Sequence, residues 1–235
     1  MATSRRKKKT LSSRILRWLL LGILIFAGGS IALVAVFRFV PPPVTLTMLG
    51  DLVAGNGITK DWMPLSKIDP NMARAAIAGE DGNFCRHHGF DFVAIEKAMR
   101  NNAAGKKLRG GSTISQQTAK NVFLWQGRSF VRKGLEAWFT VLIEAIWGKH
   151  RIMEVYLNVA ETGIGTYGAN AGAQRYFHHD ASRLSPSEAA RIVAVLPLPK
   201  KRGAVAPRGF TRRYGATIQR RMPIIHRAGL DSCVR

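Results

Sequence analysis

From Trp18 to Phe37 the chain runs for 20 residues without a charge. At about 1.5 Å per helical residue, such a run crosses the roughly 30 Å hydrocarbon core of a bilayer, so residues 18–40 are expected to form a transmembrane helix. A cleaved leader would have a shorter apolar region and a small-residue cleavage site, whereas this run ends in Phe37-Arg38-Phe39-Val40. Pro41-Pro42-Pro43 then forms a stiff spacer in a linker spanning 41–60. Farther on, apolar positions recur at helical spacing, with no long alternating run and no internal repeat, which predicts one mostly α domain over 61–235. A helix over 70–80 opens on Asp69-Pro70, an N-cap followed by proline at the first helical position. A second opens near Ser112 or Thr113 and runs through ISQQTAKNVF. Residues 129–147 place Leu135, Trp138, Phe139, Leu142, Ile143 and Ile146 on one apolar face, with Arg132, Glu136 and Thr140 on the other. Residues 149–159 and 185–196 complete the set, the latter with a capping pattern of Ser185 and Glu188. The basic, turn-rich tail after Pro197 predicts no element.

Charge gives the anchor a direction. The formal net charge is +22, and eight basic residues fall in the first 40 positions, where no acid occurs. Residues 1–17 thus form a basic tail that stays in the cytoplasm by the positive-inside rule, leaving the domain outside, on the inner (plasma) membrane. Residues 41–235 still carry a net +14, an excess that fits an anionic surface, a nucleic acid or a phosphorylated ligand. Cys85 and Cys233 match no metal motif or disulfide framework and are expected as two separate thiols.

Three clusters carry candidate chemistry. Residues 80–91 (EDGNFCRHHGFD) concentrate acids and histidines at a helix-to-loop junction, where Glu80 ends its helix. Residues 110–121 (GGSTISQQTAKN) bring Ser112, Thr113, Gln116, Gln117 and Lys120 to a helix N-terminus, a setting that favours a phosphate. Arg128, Arg132 and Lys133 form a basic patch beside Glu136, although Arg132 and Glu136 also fit a simple exposed i, i+4 pair. Gly163 to Gly168 satisfies G-x-G-x-x-G, but it follows a helical pattern and is not read as a dinucleotide site. Ser4-Arg5-Arg6-Lys7 satisfies S-x-x-K but belongs to the basic tail.

Taken together, these blocks resemble glycosyltransferase family 51, the peptidoglycan glycosyltransferases, in its monofunctional biosynthetic transglycosylase form. Glu80 to Gly89 is similar to E-D-x-x-F-x-x-H-x-G, Gly110 to Asn121 to G-G-S-T-I-[ST]-Q-Q-x-x-K-N, and Arg132 to Glu136 to R-K-x-x-E. Lys149 to Asn158 is similar to K-x-x-I-L-E-x-Y-L-N, with Met153 in place of leucine, and Leu184 to Ala190 to the last family block, with Pro186 in place of leucine. The resemblance implies a lysozyme-like helical domain with a small membrane-contacting jaw, which Val122-Phe123-Leu124-Trp125 and Phe130 would suit. It implies that Glu80 is the base acting on the 4-hydroxyl of lipid II, with inversion at the growing chain and release of polyprenyl diphosphate. By the same resemblance Glu136 would be the second catalytic carboxylate, orienting cations or helping to hold a loosely bound divalent metal, Mg²⁺ or Mn²⁺. Ser112, Thr113, Gln116, Gln117, Lys120, Arg128, Arg132 and Lys133 would bind substrate and diphosphate. The implied partners are lipid II, the lipid-linked glycan chain, the membrane and other wall-synthesis proteins, not nucleic acid. No S-x-N or K-T-G motif follows, so transpeptidase activity is not expected. A lytic enzyme of the same architecture would need no such cations, because its leaving group is a neutral sugar.

Overall fold

A computed structural model describes residues 11–103, 111–127 and 129–235. Helix α1 (Leu11–Phe39) is continuous, and Trp18, Leu19, Ile23, Leu24 and Ile25 along it are exposed. Among the described residues little covers this apolar flank, which distinguishes it from a core helix and suits a membrane anchor. Its C-terminal part is fastened to the domain. Trp138 donates from Nε1 to Ser30 Oγ at 3.0 Å, and Trp147 from Nε1 to the Val34 carbonyl at 2.7 Å. The Arg151 guanidinium donates to the carbonyls of Phe37 and Val40. The final turns of α1 are therefore part of the folded unit, before the chain reaches Pro41-Pro42-Pro43.

The stretch expected as linker also folds. It contributes α2 (Leu46–Val53), with Met48 and Asp51 buried, and strand β1 (Thr59–Lys60). β1 pairs in parallel with β3 (Thr166–Tyr167), which pairs antiparallel with β2 (Glu161–Gly163). The glycines of the rejected G-x-G-x-x-G lie in this β2–β3 hairpin and in the turn that leads to α8 (Ala169–Phe177). Gly165 has φ +61°, and a Cβ there would stand 2.3 Å from the Asn56 carbonyl oxygen, so the glycine serves backbone packing and not a phosphate.

The core helices begin where their caps predict. In α3 (Pro70–Glu80) Asp69 accepts from the Asn71 N–H at 2.8 Å, and Pro70 fills the first position, where a missing N–H costs nothing. The others are α5 (Ile114–Phe123), α6 (Phe130–Ile146), α7 (Gly148–Val159) and α9 (Pro186–Val195), the last closed by the Ser185–Glu188 capping box. Besides α2 and α8, two longer helices, α4 (Phe92–Ala103) and α10 (Gly209–Arg227), have no counterpart in the predicted set. α6 packs on α1, α5 and α7, whereas α10 packs on α9 and α3.

Two expectations are corrected. Val122 and Leu124 are buried, and Phe123 stacks on Phe139 with ring centroids 4.4 Å apart, so these residues build the core; of the supposed jaw, Trp125 and Phe130 face outward. Cys85 and Cys233 are not separate thiols but a disulfide, with Cα atoms 5.5 Å apart across 148 residues of sequence. The pairing is invisible in spacing because α10, itself unpredicted, brings the chain back to the loop after α3. Replacing both cysteines with serine should cost about 2–5 kcal/mol, by loss of a long closed loop from the unfolded ensemble. Urea unfolding of oxidised wild type against the double variant measures it, and identical midpoints would show that the bridge adds nothing.

Candidate active site

Glu80 ends α3 at the wall of a cleft lined by α5, α6 and the segment after α9. Its Oε2 accepts from Gln117 Nε2 at 3.0 Å, while Oε1 is buried without a protein partner among the described residues. Burial pushes the Glu80 pKa up; the Gln117 hydrogen bond opposes this, Asp81 reinforces it, and Arg202 and Lys120 pull it down. A buried carboxylate raised towards the working pH at the wall of a cleft is suited to accept a proton.

The loop after Glu80 is held by its own titratable groups. Buried Asp81 accepts from the Ile114 N–H at 2.9 Å, satisfying an orphan donor of α5, and both of its oxygens lie 3.0 Å from His87 Nε2. Thr113 is the N-cap of α5. It shares a capping box with Gln116 and donates its hydroxyl to the Gly89 carbonyl at 2.6 Å. Thr113 thus ties α5 to the loop and does not line the cleft. Gln116 lines it while its amide oxygen accepts from the Thr113 N–H at 3.0 Å.

The same cleft holds a cation cluster. Lys120 reaches the cleft from α5, and Arg132 and Lys133 reach it from α6. Arg132 Nη1 donates to Glu136 Oε2 at 2.7 Å, and Lys133 Nζ donates to Glu136 Oε1. With side chains only 10% and 4% exposed, Arg132 and Glu136 are a buried pair, which rules out the exposed i, i+4 reading. Lys120 has no ion-pair partner among the described residues. Burial pushes its pKa down; Glu136 pulls it back up, and Arg132 and Lys133 press it lower still. Ser112 lines the same cleft from the exposed start of the α5 segment, and Arg128 lies outside the described residues.

Four functional candidates escaped the sequence reading. Tyr156 on α7 is fully buried, its hydroxyl 3.4 Å from Gln117 Oε1, behind the Glu80–Gln117 contact. Glu161 lines an adjoining cavity together with Gln117 and Lys120. Burial, offset in part by Lys200 and reinforced by Asp51, raises its pKa to about 7. Lys200 bonds Asp51 and lies 3.8 Å from Glu161, and Arg202 acts on Glu80 through its charge. Tyr156 lies inside a recognised block and was discoverable there. The other three carry no local signal, because chain reversals far apart in sequence bring them in.

A carboxylate and a cluster of cations lining one cleft suit group transfer with an anionic leaving group. A family model described as transglycosylase matches residues 47–224. Over 222 residues the chain is 52% identical to a biosynthetic peptidoglycan transglycosylase of Caulobacter vibrioides, covering 94% of this chain and 97% of that protein. It is 50% identical over 214 residues to a protein of the same name from Xanthomonas campestris pv. campestris, covering 88% and 87%. The Rhodospirillum centenum protein of that name is 49% identical, covering 89% and 93%. The chain belongs to the transglycosylase family and is a peptidoglycan transglycosylase.

Proposed function

We propose that the protein polymerises lipid II into glycan strands by inverting glycosyl transfer, with Glu80 as general base. The observation that carries this is the pairing of a buried, unpartnered carboxylate oxygen with the cluster of Lys120, Arg132 and Lys133 in one cleft. Glu80 takes the proton of the 4-hydroxyl of the incoming lipid-linked disaccharide as that oxygen attacks the anomeric carbon of the growing chain. The bond to the diphosphate breaks, and its electron pair leaves with the polyprenyl diphosphate. Fixed positive charge stabilises the negative charge that develops there, without reorganisation at the moment of reaction. Glu136 acts by orienting Arg132 and Lys133. Both of its oxygens are engaged by these cations, and among the described residues no group of three or more His, Cys, Asp or Glu surrounds a common point, so the donor set does not suit a bound divalent ion and no step is routed through one.

The orientation we propose has the N-terminus cytoplasmic and the domain outside the inner membrane. The basic N-terminal segment supports it, as does the Cys85–Cys233 bridge, since disulfides persist in oxidising compartments. The reading covers polymerisation alone, because no S-x-N or K-T-G motif of a transpeptidase occurs in the chain.

Incubating the purified protein with lipid II tests the reading: long glycan products and released diphosphate carrier are expected, and no product at all would refute it. In the same assay Lys120→Ala should lose about 2–3 kcal/mol of transition-state stabilisation, a roughly 30- to 150-fold fall in kcat/KM. Unchanged kinetics in a well-folded variant would remove Lys120 from the diphosphate site.

A further inference from the structure

We infer that the arginine face of α10 is a docking surface for the carboxylate-bearing glycan strand as it leaves the active site. The inference rests on the proposed function for the identity of the polymer. From Ala189 to Arg235 the chain holds eleven basic residues and one acid, Asp231, which accounts for ten of the fourteen net positive charges after residue 40. The diphosphate cluster on α5 and α6 explains none of these. α10 itself carries Arg212, Arg213, Arg220, Arg221 and Arg227 and no acid. All five are exposed, and none has an ion-pair partner among the described residues. A solvated helix face ordinarily mixes signs, and here nothing on the helix offsets the mutual repulsion.

Helical periodicity orders this charge. The buried stripe is Thr211, Gly215, Ile218, Met222 and Ile225, which turns Arg213, Arg220 and Arg227 outward in a row, each about 10.5 Å from the next at seven residues of helical rise. The flank of α10 beside this row meets the catalytic end of α3. The Tyr214 hydroxyl donates to the Gly79 carbonyl at 2.7 Å, one residue before Glu80. The Arg221 guanidinium lies 3.7 Å from where a Cβ on Gly82 would stand.

Two polyanions fit a basic face, and the packing favours one. α1 packs on α6, and α6 also carries the cations for the lipid diphosphate, so the bilayer side of the molecule is the α1–α6 layer. α10 packs on α9 and on α3, the helix that Glu80 ends, and is not among the helices packed on α6. A donor held by its diphosphate at α6 therefore extends its sugars past Glu80 towards α10. Every disaccharide of the strand bears a peptide and hence at least one carboxylate, a periodic anion matched to a periodic row of guanidinium groups.

The full-length, disulfide-bonded protein in detergent should bind isolated wall glycan strands that retain their stem peptides, and salt should weaken the binding. Reversing R213E, R220E and R227E together should weaken it about ten-fold, the effect of three surface ion pairs of ordinary strength. The lysine triple R213K, R220K and R227K should retain most of it, and strands stripped of peptides by an amidase should bind wild type as weakly as the reversed variant binds intact strands. Equal binding by wild type and the reversed variant, or equal binding of stripped and intact strands, would overturn the inference. So would a loss confined to phosphatidylglycerol vesicles, which would assign the face to the membrane. Binding is read without polymerisation, so a protein that held strands but made none from lipid II would fail the proposed function and leave this surface standing.

Discussion

Glu80→Gln should bind lipid II yet polymerise it about 10²- to 10⁴-fold more slowly, because glutamine keeps the side chain's shape but cannot accept a proton. The effect should be nearly all in kcat, since Gln117 can still bond the amide. The pH profile adds a second readout. Glu80 is active only when ionised, and burial raises its pKa, so wild-type activity should rise with pH through a value above the ordinary carboxylate range. That acid limb should vanish in the residual activity of the variant. A variant polymerising at near wild-type rate would dismiss Glu80 as the base. Asp81→Asn should also lower activity, by a different route. Asp81 holds the first N–H of α5 and His87, so its loss should reduce activity by loosening the loop, with the acid limb still present.

Glu136→Ala should produce the second large effect, this time on stability as well as turnover. It leaves Arg132 buried without its counter-charge, and breaking such a pair from one side costs about 3 kcal/mol or more. The double replacement Arg132→Met with Glu136→Leu removes both charges and should recover most of the lost stability, since a buried ion pair rarely outweighs its own desolvation. Activity should not return with it. Denaturant midpoints and lipid II turnover, measured on the same three proteins, separate the roles. If the double variant regained turnover, the pair would be scaffolding only.

Sequence foretold the helices whose ends are chemically marked. Asp69-Pro70, Thr113 with Gln116, Ser129, and Ser185 with Glu188 all cap helices at or next to the predicted positions, because a side chain must satisfy the first free N–H groups wherever a helix begins. α10 was missed because its buried stripe includes Thr211 and Gly215 amid arginines and an internal Pro223, so it lacks the apolar periodicity by which α6 announces itself. α8 is hidden for a related reason. It packs by close approach, a Cβ on Gly172 falling 2.9 Å from Thr162 Oγ1, and small residues leave little hydrophobic signal.

The site divides along the same line. Glu80, Gln117, Lys120, Arg132, Lys133 and Glu136 lie in recognisable blocks and meet in one cleft. Glu161, Lys200 and Arg202 join them only through the fold. Thr113 illustrates the opposite hazard: a hydroxyl in a phosphate-like motif that the helix start itself consumes.

The fastening of α1 to α6 has a mechanical consequence. An apolar helix longer than the local bilayer relieves the mismatch by tilting, at a fraction of a kcal/mol per ångström. A freely hinged anchor would tilt alone, but here Trp138, Trp147 and Arg151 make α1 and the domain a single lever. Any change of tilt must swing α6, and with it Arg132 and Lys133, relative to the headgroup plane. In the membrane orientation proposed above, bilayer thickness would thereby set the angle at which the cleft meets the membrane surface, so the same protein reconstituted in thin and thick bilayers should present its entrance differently without any change in its internal structure.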